Sequence, residues 1–374
     1  MRIWVLMNGV VQTMAEDVAK EAVAILGSDI VFVGSNEEAE KYISDLTEVI
    51  NLDGKCVVPG FIDGHTHEVM YSIDDDTTLI FDRLEPNLEV YKKAFKTFIE
   101  EHPGCEMYYG NGLDLNAFPE GFANNKWLNE ICPDIPVAVK DMSNHAVIMN
   151  NKAMEMSGLD RNTPTPDGGY IYKYENGEPN GYIVDCLTFL AKLPQRDRSK
   201  EKYRRAFMKF QKICHSYGIT GIDIAGPTIN AEEAWDVFHQ MEKEGTLKLR
   251  VNCAILDDVT PQVDRARGKE FVAMLERGQK YNSDFQRVSQ AKTLIDGVPE
   301  GRSAFLMEPY EPIEGQADDY RGIPYIEQQD LMDFVEEVNA AGYQVHIHAM
   351  GDAGVNYALN AYENSNKVNG RKDY

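Results

Sequence analysis

Two histidines separated by one residue, His65 and His67, follow directly on the apolar segment 57–63. If that segment is a strand, residues two apart point to the same side, so both imidazoles could reach one metal ion. The same spacing also occurs in pairs of unrelated surface histidines. The position at the carboxyl end of a strand favours the metal interpretation, because α/β barrels build their active sites there.

A second pair with the same spacing, His346 and His348, ends another apolar segment. Both rings could face the same interior at different depths. His348 lies nearer the end of the segment and is therefore the better candidate for a metal ligand. The alternative for this pair is a hydrogen-bonded core histidine.

Lys292 lies on a short predicted strand that ends at Asp296 and Gly297. An ammonium group that points inward is costly to bury. Such a lysine can instead have a lowered pKa, or react with carbon dioxide to form a carbamate whose two oxygens bridge two metal ions. The alternative is a lysine whose stem is buried and whose ammonium group reaches water.

Alternating helix and strand patterns from about residue 200 onward favour a parallel sheet or barrel. The predicted helices cover 202–217, 231–245, 263–278 and 328–341, and the predicted strands cover 219–225, 249–256, 291–295 and 343–348. Together with the strand before His65, this gives about five barrel strands, whereas a closed barrel needs eight.

The first 56 residues predict a small, incomplete β unit of the β-sandwich type. Turn residues suggest one hairpin over 3–13 and a second over 22–33, and a helix is expected over 35–46. The catalytic barrel, also incomplete, is expected over 57–374, with a long insertion at about 72–200. Loops above a barrel set substrate choice, so the substrate cannot be read from the sequence.

The charge balance excludes some partners. The chain has 61 Asp and Glu residues against 37 Lys and Arg residues, and this acidic excess disfavours nucleic acid and anionic membranes. No basic leader or apolar run of about 18 residues is present, and the six cysteines form no CxxC pair. We therefore expect a reduced, cytoplasmic protein that acts on a small molecule; a homodimer is compatible with the sequence.

Taken together, these motifs resemble the amidohydrolase superfamily, in its branch that is similar to N-substituted formamide deformylase. The resemblance runs nearly end to end, and no single segment carries it alone. The segments that carry it are 22–34, 57–67 (VVPGFIDGHTH), 145–154 (HAVIMNNKAM), Gly168-Gly169, Gly218-Ile219-Thr220, 292–297 (KTLIDG) and 346–352 (HIHAMGD).

The resemblance implies a (β/α)8 barrel of the metal-dependent hydrolase type that hydrolyses a non-peptide carbon–nitrogen bond with a metal-activated hydroxide. It implies that His65 and His67 bind one metal, that Lys292 is carboxylated and bridges, and that His348 binds a second metal. One or two divalent ions are expected, and zinc suits these ligands best. His145 and Asp296 match positions that face the substrate.

Two parts of the family pattern, a histidine on the sixth strand and an aspartate on the eighth, are expected beyond residue 374, so no residue is assigned as the general base. A truncated record or a split gene is the interpretation we favour. Two alternatives stay open. A mononuclear deaminase of the same superfamily would not need Lys292, and a non-catalytic barrel scaffold would have lost its metal ions.

Overall fold

The computed structural model describes residues 3–67, 78–81, 84–118, 123–166, 169–195, 197–227, 229–256, 268–312 and 316–370. Gly168 of the motif quoted above and the chain end 371–374 lie outside these ranges. The chain forms two compact units, one made of the described residues up to 62 with 217–221, and the other of 63–216 with the described residues from 222 onward.

The first unit contains a four-stranded sheet with the order β4-β3-β1-β5 and a two-stranded sheet of β2 and β6. The strands are β1 (Ile3–Met7), β2 (Val10–Val11), β3 (Ala22–Leu26), β4 (Asp29–Gly34), β5 (Thr47–Asn51) and β6 (Cys56–Val57). Val5, Ala22 and Ala24 are fully buried and form its core with Ala39. The helix α1 (Asn36–Ala39) begins at Ser35, whose hydroxyl accepts from the Glu38 amide in a capping box.

One predicted hairpin is confirmed and the other is wrong. Strands β3 and β4 pair antiparallel, as the turn residues between them predict. Strand β1 pairs instead with β3 and, in parallel, with β5, and β2 pairs in parallel with β6. The Asn8-Gly9 turn therefore redirects the chain between two sheets, although its residues are typical of a hairpin. The predicted helix over 35–46 is also shorter, because α1 passes into a 3-10 turn at Glu40–Tyr42.

The region predicted as a long insertion contains a six-stranded sheet with the order β12-β13-β11-β10-β9-β8. Its strands are β8 (Thr78–Ile80), β9 (Tyr108–Leu113), β10 (Val137–Asp141), β11 (Ala146–Met149), β12 (Tyr170–Lys173) and β13 (Pro179–Val184), and its helices are α2 (Leu88–Glu101), α3 (Lys126–Ile131) and α4 (Asn151–Ser157). An aromatic cluster of Phe81, Phe95 and Trp127, all fully buried or nearly so, packs helices onto the sheet.

The remainder of the second unit alternates strands with helices. The strands are β7 (Phe61–Thr66), which begins in the first unit, β14 (Ile219–Ile224), β15 (Arg250–Cys253), β16 (Ile255–Leu256), β17 (Gln286–Arg287), β18 (Gln290–Leu294) and β19 (Gln344–His348). The helices are α5 (Lys200–Ser216), α6 (Ala231–Lys243), α7 (Gly268–Gly278), α8 (Gln328–Ala340) and α9 (Asp352–Asn369). The sheet orders are β17-β15-β14-β7 and β16-β18-β19.

Strands β15 and β17, β16 and β18, and β18 and β19 pair in parallel, which confirms an α/β fold. The predicted strand over 249–256 is interrupted at Ala254, and helix α9 was not predicted. A closed barrel of eight strands stays a prediction. All six cysteines are free thiols, and within the described ranges no helix is long and apolar enough to span a bilayer.

Candidate functional site

The first histidine pair lies at the end of β7. His65 is the penultimate residue of that strand and His67 follows it. The centroids of the two rings are 5.4 Å apart. The carbonyl of Thr66, the last residue of β7, accepts a hydrogen bond from the Ala225 amide at 2.9 Å, which anchors this end of β7 beside the end of β14. Both rings thus lie at the carboxyl end of β7, next to the carboxyl end of β14.

The second histidine pair and Lys292 lie on adjacent parallel strands. The register of β18 and β19 places Lys292 beside His346 and Leu294 beside His348. Since alternate residues of a strand share a face, Lys292, His346 and His348 point to the same side. The two strands therefore bring one amine and two imidazoles together.

His346 also contacts the first pair. Its Nε2 atom lies 2.9 Å from the Nδ1 atom of His65, and the two ring centroids are 4.7 Å apart. Of the four histidines in the two pairs, His65 is exposed and the other three are half-buried. Sequence reasoning assigned His346 no role, and only its spacing from His348 marked it as a candidate.

The environment keeps these imidazoles neutral. Burial, together with neighbouring positive groups that include Lys292, lowers the pKa of His67 and of His346 to about 4 in each case. Burial and Lys292 also lower the pKa of His65. Neutral imidazoles have the free lone pairs that a metal ion requires.

Lys292 is 3% exposed. Burial lowers the pKa of its amine to about 8, because a charged ammonium loses its hydration in such a place. The lowered pKa increases the fraction of the neutral amine at physiological pH, which is the form that reacts with carbon dioxide. The prediction of an inward-facing lysine at this position agrees with the burial.

His145 and His348 form a second group. Their rings are nearly parallel with centroids 5.5 Å apart. The Nδ1 atom of His145 lies 2.7 Å from Asp185 Oδ1, and the Asp185 amide donates to the His145 carbonyl at 2.9 Å. The second oxygen of Asp185 is buried without a hydrogen-bond partner among the described residues.

Asp185 was missed by the sequence analysis. It follows β13 directly and has a φ of +49°, a left-handed conformation that residues other than glycine adopt rarely. A polar residue with this conformation after a fully buried strand is a signal of a constrained position, but the conformation itself cannot be read from the sequence.

Asp296 is fully buried, and its carboxylate faces the backbone. One oxygen accepts from the amides of Phe305 at 2.7 Å and Gly351 at 2.8 Å, and the other accepts from Met350 at 2.9 Å. These bonds tie the end of β18 to the chain at Phe305 and to the loop between β19 and α9. Asp296 therefore lies near His348, but its carboxylate already accepts three main-chain hydrogen bonds.

Neutral imidazoles are nitrogen donors, and such donors suit a divalent metal ion. Their arrangement is less compact than that of the ligands of a bound metal ion. Over the described residues, no three His, Cys, Asp or Glu side chains converge as the ligands of one ion do. His65 and His346 are hydrogen-bonded to each other instead.

Known proteins resemble this chain over most of its length. Residues 48–374 match the amidohydrolase family. The "Putative amidohydrolase YtcJ" of Bacillus subtilis is 29% identical over 98% of this chain and 67% of its own length. The N-substituted formamide deformylase of Arthrobacter pascens is 23% identical over 97% of this chain and 66% of its own length.

A solved structure shares the fold. The crystal structure of an uncharacterized metal-dependent hydrolase from Pyrococcus horikoshii superposes with a TM-score of 0.67 at 21% identity, over 96% of this chain and 68% of the other. At this identity the likeness concerns the fold alone.

Proposed function

Because this chain belongs to the amidohydrolase family, we propose that it hydrolyses a non-peptide, amide-like carbon–nitrogen bond with the help of a divalent metal ion. One observation carries the proposal: the buried amine of Lys292 lies among the neutral imidazoles. A lysine whose pKa is lowered to about 8 by burial has no structural advantage over an apolar residue, so its place in the site points to chemistry.

The residues that would hold the metal are His65, His67, Lys292 and His348, with zinc as the favoured ion. The neutral Lys292 nitrogen would attack carbon dioxide and lose one N–H proton, which forms a carbamate with one negative charge. A bound divalent ion supplies Lewis-acid polarisation of the scissile carbonyl and a water of lowered pKa. One or two ions per chain are compatible with this donor set.

His145 and Asp185 would act on the substrate. The Asp185 carboxylate accepts from Nδ1–H of His145, which leaves the Nε2 lone pair of the neutral ring as an acceptor. In that tautomer His145 accepts a hydrogen bond from the N–H group of an amide substrate and orients it. His348 packs against the same ring, so the substrate contact lies beside the metal ligands.

The position of the site supports a (β/α)-barrel. His67 and His348 lie at or just beyond the carboxyl ends of their strands, where barrel enzymes place their catalytic groups. The long six-stranded sheet region before α5 would then cover the mouth of the barrel and contribute His145 to it.

A metal-dependence assay on the full chain tests the proposal. The protein is stripped with a chelator, reloaded with zinc in bicarbonate buffer, and assayed on N-formyl and N-acetyl amines. We expect activity to require both metal and Lys292, with Lys292→Met inactive and the exposed Lys212→Met unchanged. A carbamate carbon signal from ¹³C-labelled bicarbonate should appear in the NMR spectrum of the wild type and not in Lys292→Met. Full activity of Lys292→Met, or hydrolysis by the chelated protein, would overturn the proposal.

A further inference from the structure

A cavity of about 240 Å³ lies on one face of the six-stranded sheet. Its wall includes Tyr109 from β9 and Lys140 from β10. The parallel register places Tyr109 beside Ala138, and Lys140, two residues further along, shares the face of Ala138. The opposite face carries Val137 and Val139, which are fully buried in the aromatic cluster. The alternation of the two strands thus directs Lys140 into the cavity.

Two lining residues of the cavity are chain neighbours of residues that belong to the candidate site or contact it. Asn144, one of its lining residues, immediately precedes His145. Pro227, another lining residue, immediately follows Gly226, whose backbone hydrogen-bonds to His67. The cavity wall therefore includes residues of the chain segments that lead into the candidate site.

The charge of the lining differs from that of the whole chain. Lys140, Arg198 and Lys202 are basic, and Asp197 is the acidic residue of the lining. The Asp197 carboxylate accepts from the Ser199 amide at 2.8 Å and interacts electrostatically with Lys202, so the lining has three cationic side chains and one anionic side chain. Across the chain, acidic residues outnumber basic ones by 61 to 37, so the lining reverses the overall balance.

The start of helix α5 adds to the positive potential. Lys202 lies in its first turn and Arg198 two residues before it. The amino end of a helix carries a partial positive charge and favours anions. In a cavity with low-dielectric walls, such charges concentrate a field that an acidic protein would otherwise lack.

We propose that this cavity binds an anionic substituent of the substrate, a carboxylate or a phosphate, so that the enzyme acts on amides that carry a negative charge near the scissile bond. The inference rests on the proposed hydrolase function and specifies its substrate class. Tyr109, Ala138 and Leu190 also line the cavity, and they would contact the hydrocarbon part that joins the anion to the amide.

Matched ligand pairs test the inference on the zinc-loaded full chain. Calorimetry compares an N-formyl amino acid with its neutral N-methylamide, and an N-formylaminoalkyl phosphate with the corresponding alcohol. We expect the anionic member of at least one pair to bind about tenfold or more tightly, since each favourable charged contact contributes on the order of 1.4 kcal/mol. The pair with the larger ratio identifies the anion as carboxylate or phosphate.

Variants then assign the preference to the cavity. Arg198→Gln, Lys202→Gln and the double variant should reduce the anion preference at least tenfold and leave binding of the neutral member unchanged. Lys212→Gln, an exposed residue on the same helix, is the matched control and should behave as the wild type. Equal binding of charged and neutral members, binding of neither, or a preference that survives in the double variant would overturn the inference.

The experiments distinguish an error in the cavity inference from an error in the hydrolase proposal. If neutral and anionic formamides are hydrolysed with equal kcat/KM, the hydrolase proposal stands and the cavity inference is wrong. If no amide is hydrolysed but the anion preference in binding is lost in Arg198→Gln/Lys202→Gln, the cavity binds anions and the hydrolase proposal is wrong.

Discussion

The Nδ1 atom of His65 lies 2.9 Å from the Nε2 atom of His346, although the two residues are 281 positions apart in the chain. One of these nitrogens must donate the hydrogen bond and the other must accept it. The contact therefore determines which ring nitrogen of each residue stays available for another partner. Histidines that bind metals usually donate their second ring N–H to a neighbouring acceptor. We therefore expect His65 to donate from Nδ1 and to present Nε2 as a free lone pair.

Replacing His346 tests this orientation. His346→Leu removes the acceptor, and zinc affinity should fall about 10- to 100-fold, as it does when such partners of ligating histidines are lost. His346→Gln should retain more affinity, because its amide oxygen can accept from His65. Competition with a chromophoric chelator measures both. His215→Gln, at an exposed position, should match the wild type. An unchanged affinity in His346→Leu would show that the contact has no role in metal binding.

The contact between His65 and His346 also shows what the sequence can and cannot predict. The spacing of His346 and His348 predicts that both rings share a face, and the strand register agrees. Which of them meets His65 depends on the packing of strands that are distant in the chain, and local patterns carry no information on it. The sequence analysis compared His346 and His348 only by their distance from the end of the strand, and so gave His346 no role.

The neighbours of His145 could not be predicted for a related reason. Asp185 reaches His145 because β11 and β13 pair antiparallel with Ala146 beside Val184, and a shift of one residue would turn the carboxylate to the other face. The Asn8-Gly9 hairpin failed in the same way. Turn residues specify a change of direction, whereas the partner of each strand is chosen by burial across the whole sheet.

Lys292 should destabilise the metal-free protein at neutral pH. Burial lowers the pKa of its amine from 10.5 to about 8. At pH 7, below both values, the folded state has the full unfavourable energy of a buried ammonium, roughly 3 kcal/mol. This energy decreases as the pH rises through 8 and vanishes above the unfolded value. Lys292→Met, which is apolar and of similar size, should therefore unfold at a higher urea concentration than the wild type at pH 7.

The same comparison at pH 10 provides the sign check. Most of the folded wild type then has a neutral amine, so the advantage of Lys292→Met should shrink to less than about 1 kcal/mol. Chelator and carbon dioxide-free buffer prevent carbamate formation. Lys212→Met controls for the loss of a surface charge. A stability difference that is independent of pH would mean that the amine is not buried as an ammonium at all.

Asp296 is expected to stabilise the loop that follows β19. In Asp296→Asn, one acceptor oxygen becomes an amide nitrogen, so at least one of the amides of Phe305, Met350 and Gly351 loses its partner. The free energy of unfolding should fall by roughly 2 to 4 kcal/mol. Urea unfolding measures this, and Asp284→Asn at an exposed position should have no effect. Unchanged stability with a raised KM would instead support the predicted contact between Asp296 and the substrate.

Asp185 should affect catalysis through His145. Asparagine tolerates the left-handed backbone that Asp185 adopts at φ +49°, so Asp185→Asn removes the charge and leaves the chain path unchanged. Loss of the oriented His145 tautomer should lower kcat about 10- to 100-fold, equivalent to one charged hydrogen bond, and Asp185→Glu should recover part of it. His145→Gln should lower kcat by a similar factor. If Asp185 acts only by positioning His145, the double variant Asp185→Asn/His145→Gln should be no worse than His145→Gln alone. A double variant whose loss equals the product of the two single losses would show that the residues act independently.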